Sequence, residues 1–174
     1  MDTLPDRSSA RDAAAFDDAA AVADLPLTIT EVSLEALDLI RDLNVAIFDD
    51  EHIINTFDRD DLLMLVAWSE GTAVGFKIGY QRDETAFYSA KGGVREAYRR
   101  RGVARALLYA MIDVARARGY ERFVYDTFPN KHPGMTVMGL DEGFRVVRAG
   151  YSPRYQDYRL RFALSLDEAD TSRS

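Results

Sequence analysis

Residues 94–108 read Val-Arg-Glu-Ala-Tyr-Arg-Arg-Arg-Gly-Val-Ala-Arg-Ala-Leu-Leu, and their reading decides the fold. They join a strand-like run, residues 86–94, to an amphipathic helix through an arginine-rich loop. The core of the loop is Arg99-x-x-Gly102-x-Ala104. Such a junction suits a diphosphate seated on the first turn of a helix. The first-turn N–H groups have no intrahelical partner, and the helix dipole places partial positive charge there. Gly102 lets the backbone approach an anion closely, and Ala104 keeps the same surface low.

Outward from this loop, the pattern is that of one mixed α/β domain. Residues 27–32 read as a strand, and Ser33 can cap the helix that follows. Ala36, Leu39, Ile40, Leu43 and Ile47 make a helical stripe. Residues 49–57 read as a short helix or loop. Residues 62–68 form a continuous apolar strand, and Ser69-Glu70-Gly71-Thr72 a turn. In the returning strand, Val74, Phe76, Ile78 and Tyr80 are expected on one face. The helix after the arginine loop places Val103, Leu107, Ala110, Met111 and Val114 together and ends at Gly119. A strand at 123–127, a short helix at 133–142 and strands at 144–148 and 155–164 complete the order.

Composition limits the function classes. With 174 residues, 47% of them hydrophobic, the chain is long enough for one domain with a real core. No apolar run approaches a membrane span, and the acidic N-terminus reads as neither a secretory nor a transit segment, so a cytoplasmic protein is expected. Absence of cysteine removes disulfides, thiolate nucleophiles and acyl-cysteine intermediates. Two histidines, His52 and His132, exclude a multi-histidine metal centre, and no metal site is expected.

The net charge of −7 is unevenly spread. Residues 1–24 hold six Asp against two Arg, and residues 167–174 hold three acids against Arg173. The body between is nearly neutral, yet residues 95–105 carry five arginines and one acid. A single basic loop on a neutral body fits a small anionic cofactor better than a nucleic-acid duplex. Residues 1–24 read as an acidic, Ala-rich flexible tail, dispensable for folding and cofactor binding. Residues 167–174 read as a flexible C-terminal tail, leaving 25–166 as the domain.

The loop resembles the acyl-CoA-binding motif of the GCN5-related N-acetyltransferases, the GNAT superfamily: Gln or Arg, two residues, Gly, one residue, then Gly or Ala. Arg99, Gly102 and Ala104 meet it, with Val94 five positions before and an aromatic, Tyr98, just ahead. The order of elements over roughly 27–166 is similar to that fold. The resemblance implies a central mixed, mostly antiparallel sheet of six to seven strands with about four helices. The run Phe87-Tyr88-Ser89-Ala90-Lys91-Gly92-Gly93-Val94, with Asn130-Lys131 and Met135 downstream, resembles an uncharacterised bacterial subgroup of the superfamily.

From this resemblance follow the expected activity and site. Acetyl-CoA is the implied cosubstrate, bound by Val94, Arg99, Arg100, Arg101, Gly102, Val103, Ala104 and Arg105. An amine of a small molecule or protein attacks the thioester directly. A non-catalytic acyl-CoA-binding module is the alternative. No nucleic acid or membrane partner is implied, and the protein is a monomer or homodimer. Gly92-Gly93 supplies a β-bulge that opens the sheet for the cofactor, or else two small residues under a neighbouring helix.

At two places the chain departs from the family pattern. Where some members place a glutamate base, this chain has Tyr88, the candidate catalytic residue, whose hydroxyl is expected to orient a water or the thioester. Asp126, Glu84, Glu51 and His52 are candidate bases by residue type alone. The family's proton-donating tyrosine falls on Gly139 when the pattern is anchored on Gly143-Phe144, which leaves Tyr88, Tyr151, Tyr155, Tyr158 or water to serve the leaving thiolate. Asp49, Asp50 and Glu51 hint at a cationic acceptor.

Overall fold

A computed structural model describes residues 15–167. Its elements are α1 (Asp17–Ala20), β1 (Thr28–Val32), α2 (Leu37–Phe48), β2 (Leu63–Ser69), β3 (Thr72–Gln81), β4 (Ala86–Val94), α3 (Val103–Ala117), β5 (Arg122–Thr127), α4 (Pro133–Asp141), β6 (Arg145–Ser152) and β7 (Asp157–Ser165). The strands form one seven-stranded sheet in the order β1-β2-β3-β4-β5-β7-β6. Every pairing is antiparallel except β4 with β5. This is the α+β architecture expected from the order of elements. Among the described residues no helix is long and apolar enough to cross a membrane.

Two apolar layers hold the sheet. On one face, α3 and α4 cover Leu63, Leu65, Phe87, Phe123 and Phe162. On the other, α2 places Ile40 and Leu43 against Met64, Val66, Phe76 and Ile78. The β2–β3 hairpin turns at Glu70-Gly71, both with positive φ (50° and 82°), the two-residue turn that matches strand twist. Val74 departs from its expected face and packs in the α3 layer. Ala67 pairs with Gly75 and Trp68 with Ala73, so Val74 is an extra residue, and one extra residue inverts the alternation.

Residues 49–57 form a loop, not a helix. Asp49 closes α2 in the left-handed conformation (φ 52°), and the Asp50 carboxylate accepts the His52 N–H at 2.9 Å. The fully buried Asn44 pins the loop by donating to the Asp50 and His52 carbonyls at 2.6 and 3.1 Å. Lys91 reaches the His52 carbonyl at 2.7 Å. These acids therefore have local roles in ending a helix and shaping a loop.

The N-terminal expectation needs correction from Phe16 onward. Phe16 and Ala19 are only 4% and 3% exposed and sit in the α3-side core with Ala20. Asp24 N–H donates to the Arg101 carbonyl at 2.7 Å, and the Arg101 guanidinium donates to the Asp24 carbonyl at 2.8 Å. One aromatic placed three and four residues before two small ones suffices to dock a short helical turn. Composition averaged over 24 residues hides it. Residues 1–14 and 168–174, the rest of the two expected tails, lie outside the described residues.

Lys77 is buried on the α3 face of β3, and burial lowers its pKa to about 8. The folded state therefore binds fewer protons than the unfolded state above pH 8, and stability rises with pH there. A shift from about 10.5 to about 8 corresponds to roughly 3 kcal/mol. Lys77→Met is expected to be more stable than the wild type at pH 7 and to lack the wild type's gain between pH 8 and 10. Parallel stability–pH curves for the two proteins would show that Lys77 stays charged when folded.

Candidate functional site

The arginine loop opens α3 with a first turn that no side chain caps. Gly102 is the residue before the helix, left-handed at φ 86°, and it offers no capping side chain. The first intrahelical bond runs from Ala106 N–H to the Gly102 carbonyl at 2.9 Å. The N–H groups of Val103, Ala104 and Arg105 therefore point ahead of the helix without an intrahelical partner. Arg100 is also left-handed (φ 64°), which costs about 1 kcal/mol for a residue with a Cβ. The left-handed Gly102 leads directly into the right-handed first turn of α3, and successive backbone N–H groups at such a junction form a concavity that suits an anion.

The five arginines divide sharply by role. Arg95 donates to the Ala73 carbonyl at 2.9 Å, and Arg99 to the Val94 carbonyl at 3.0 Å. Arg101 holds Asp24, and Arg105 pairs with the buried Glu142 at 3.3 Å. Arg100 alone makes no side-chain hydrogen bond or ion pair among the described residues. Val94 and Val103 are buried, so each can offer a ligand only its backbone, whereas Ala104 is exposed.

Beside this first turn the sheet splits. The parallel β4–β5 pairing runs from Ala86↔Arg122 to Ser89↔Tyr125 and stops there, while β4 continues to Val94. On the other side of β4, Ile78 pairs with Lys91 and Gly79 with Ser89, which leaves Ala90 as a bulge. The bulge thus lies at Ala90, where the strands part, and not at Gly92-Gly93. Gly93 instead lies under α2: a Cβ there would come within 2.8 Å of Ile47 and 2.9 Å of Phe48. The small residue serves helix packing, the plainer of the two expectations.

At the mouth of the split, on the sheet face opposite α3, three polar side chains meet. The Tyr88 hydroxyl donates to Asp126 Oδ2 at 3.2 Å. Arg161 grips the same carboxylate with two bonds, Nε to Oδ1 at 2.8 Å and Nη2 to Oδ2 at 3.0 Å. Burial, then the Asp126 charge and hydrogen bond, push the Tyr88 pKa well above the ordinary phenol value. Burial acts to raise the Asp126 pKa. The Arg161 hydrogen bonds and charge, the Arg159 charge and the Tyr88 hydroxyl outweigh it and hold the carboxyl below its usual range. Neither group is poised to accept a proton near neutral pH.

Of the other candidate bases, Glu84, Glu51 and His52 are exposed and lie outside this cluster. Of the late tyrosines, Tyr151 lines the cavity beside Asp126, whereas Tyr155 packs on Phe128 and Tyr158 on Tyr151. Gly139, at the position where the family pattern has a tyrosine, is fully accounted for by packing. A Cβ there would overlap the Tyr125 hydroxyl, which donates to the Met135 carbonyl at 2.9 Å. Tyr125 is buried, and burial raises its pKa, so it anchors α4.

Sequence reasoning did not single out Arg161, Arg159, Arg148 or Tyr125. A signal was present in β7, where Arg159-Leu160-Arg161-Phe162 alternates charge with apolar residues in what reads as a core strand. Period-2 alternation puts both arginines on one face.

A seven-stranded sheet split at its parallel β4–β5 pair, with the open first turn of α3 after the split strand, defines the fold class. The chain belongs to the acetyltransferase (GNAT) family, whose model matches residues 33–135. Solved structures agree on the fold. The ribosomal-protein-S18-alanine N-acetyltransferase from Escherichia coli superposes with a TM-score of 0.70 at 17% identity, covering 84% of this chain and 98% of that one. The IAA acetyltransferase from Bacillus cereus gives 0.70 at 18% identity, covering 80% and 99%. A GNAT family acetyltransferase from Elizabethkingia anophelis, solved with acetyl-CoA bound, gives 0.61 at 14% identity, covering 80% and 97%. No curated protein matches the sequence significantly.

Proposed function

We propose that this protein is an N-acetyltransferase that moves the acetyl group of acetyl-CoA to a primary amine by direct attack. The observation that carries the reading is continuity: the open first turn of α3 leads into the split between β4 and β5, and the split ends at Tyr88 and Asp126. The N–H groups of Val103, Ala104 and Arg105 would receive the diphosphate, with charge added by Arg100. Arg99, Arg101, Gly102 and Arg105 shape the loop through their own contacts. The free edge of β4 near Val94 would take the pantetheine arm by backbone hydrogen bonds. A relative of the same fold binds acetyl-CoA, which supports the same cosubstrate here.

In the reaction, the amine nitrogen bonds to the thioester carbon, the C–S bond breaks, and CoA leaves as thiolate. Holding both reactants supplies most of the acceleration. The ammonium proton passes to water, because Tyr88 titrates too high and Asp126 too low to take it near pH 7. Asp126 fixes the Tyr88 hydroxyl by accepting its hydrogen, which leaves the phenol oxygen to accept from, and so orient, the water or the amine. A thiolate is a good leaving group and needs little acid assistance.

Release of CoA thiol from acetyl-CoA in the presence of a panel of amines, amino acids and peptides tests this reading. Acceptor-dependent release is expected, with a rate–pH profile that follows the pKa of the amine. Tyr88→Phe should lower turnover several-fold and leave the shape of that profile intact. If Tyr88→Phe removed a limb of the profile, Tyr88 itself would be the titrating group. Tight acetyl-CoA binding without release to any amine would instead mark a binding module, a reading favoured only by the shortage of mid-range acid–base groups.

A further inference from the structure

The open half of the sheet, opposite α4, is lined by arginines. Arg161, Arg159 and Arg148 share the face that carries Asp126, and strands β5, β7 and β6 bring them side by side. A cavity of about 190 Å³ is bounded there by Asp126, Arg148, Arg159 and Arg161. A second, of about 230 Å³, is bounded by Arg59, Arg82, Tyr80, Tyr88 and Arg161. The two meet at Arg161 and together have the scale of a small-molecule site. Asp126 is the one carboxylate in their walls, and Arg161 already neutralises it.

Two observations indicate that this charge is not simply solvated surface. Arg148 stands directly opposite Arg161 in the β6–β7 register, and because Asp126 already takes up the Arg161 charge, Arg148 adds a positive charge beside a pair that has none to spare for it. In addition, none of Arg59, Arg82, Arg148 and Arg159 forms a direct ion pair with a carboxylate among the described residues, and Asp126, the carboxylate whose pKa the Arg159 charge lowers, is already gripped by Arg161. Arg59 is instead stacked on Tyr80, 4.5 Å from the ring centroid, and Tyr80 in turn packs on Tyr88. Planar guanidinium forks suit carboxylate and phosphate oxygens.

We propose that the acceptor is an amine that also carries an anionic group, a carboxylate or a phosphate, and that Arg148 and Arg159 hold that group beside the Arg161–Asp126 pair. The inference rests on the acetyl-transfer reading for its reaction, and on the arginine face alone for its binding. Strands lie ~4.8 Å apart, so the long side chains of β6 and β7 stay within one small molecule's length of the β4–β5 split. The amine then points to the split and the anion to β6. The opposite hint, a cationic acceptor drawn from Asp49, Asp50 and Glu51, falls on the loop after α2, outside both cavities.

Matched pairs test it: amino acids against their decarboxylated amines, and phosphoethanolamine against ethanolamine. With acetyl-CoA saturating, the anionic member of at least one pair is expected to have the lower KM by about tenfold or more, with the advantage shrinking as salt rises. The pair that shows it identifies carboxylate or phosphate. Arg148→Gln and Arg159→Gln should each raise that KM about tenfold with a smaller change in kcat. Arg41→Gln, a distant exposed arginine, is the charge control. Calorimetry with the same amines separates the two readings. If the anionic amines bind and the two variants lose them, yet no acetyl group moves, the anion site stands and the transfer reading falls. Equal or better use of the uncharged members by the wild type, or unchanged KM and affinity in both variants, overturns the proposal.

Discussion

Ala104→Glu is expected to weaken acetyl-CoA binding at least a hundredfold and to leave the melting temperature almost unchanged. Ala104 is exposed in the first turn of α3. A glutamate there complements the helix dipole, worth roughly 0.3–1 kcal/mol in favour of the fold. The same carboxylate would stand a few ångströms from the proposed diphosphate. Two unit charges 4 Å apart near a protein surface repel by about 4 kcal/mol, and a hundredfold loss needs only about 2.8. Gly102 is a poorer place for this experiment. A Cβ on Gly102 would come within 2.8 Å of the Val22 carbonyl, and its φ of 86° resists any side chain, so folding and binding would change together. Calorimetry and thermal denaturation of Ala104→Glu decide the matter. A folded variant with wild-type affinity would reduce the arginine loop to an ordinary turn.

Phe16→Ala is expected to lower the melting temperature by about 10 °C, and deletion of residues 1–24 by at least as much. Phe16 is almost wholly buried in the α3-side core. Phe-to-Ala truncations in cores cost about 3–5 kcal/mol, and each kcal/mol moves the midpoint about 2–4 °C at this chain length. Deletion also removes the paired bonds between Asp24 and Arg101, which brace the loop opening α3. Acetyl-CoA affinity should therefore fall with the deletion more than with Phe16→Ala. A truncated protein with an unchanged midpoint would show that this segment contributes no packing in solution.

The resting ionisation of the cluster gives a further handle. Asp126 is held below its usual pKa, so its contribution to stability is complete above the unfolded carboxyl value, near pH 4, and is lost as pH falls through the folded value. Asp126→Asn should remove that part of the acid sensitivity.

The order of elements, the hairpin at Glu70-Gly71 and the helix start after Gly102 were legible in the amino-acid sequence because each rests on neighbours in the chain. Helical stripes, two-residue turns and a glycine before a helix are local rules, and Ser33, Gly71, Gly102 and Gly119 obey them. Tyr88 was located by its distance from the loop, again along the chain. Its chemistry was not, because its pKa is raised first by burial in the folded sheet and then by Asp126, which stands 38 positions away in sequence.

What only tertiary structure decided depends on register and on who packs against whom. One extra residue at Val74 turned it to the opposite face, and one at Ala90 put the bulge where β4 leaves β5. Gly139 is glycine because Tyr125, from another element, fills the space its side chain would need. Phe16 joins the core because α3 offers a small-residue surface to receive it. Arg148, Arg159 and Arg161 become one charged face because β7 lies between β5 and β6, a crossing that no local pattern encodes. Local backbone preference wrote the elements and the arginine loop into the sequence. The arginine face arises from side chains far apart in the chain, whose proximity exists only once the sheet has assembled.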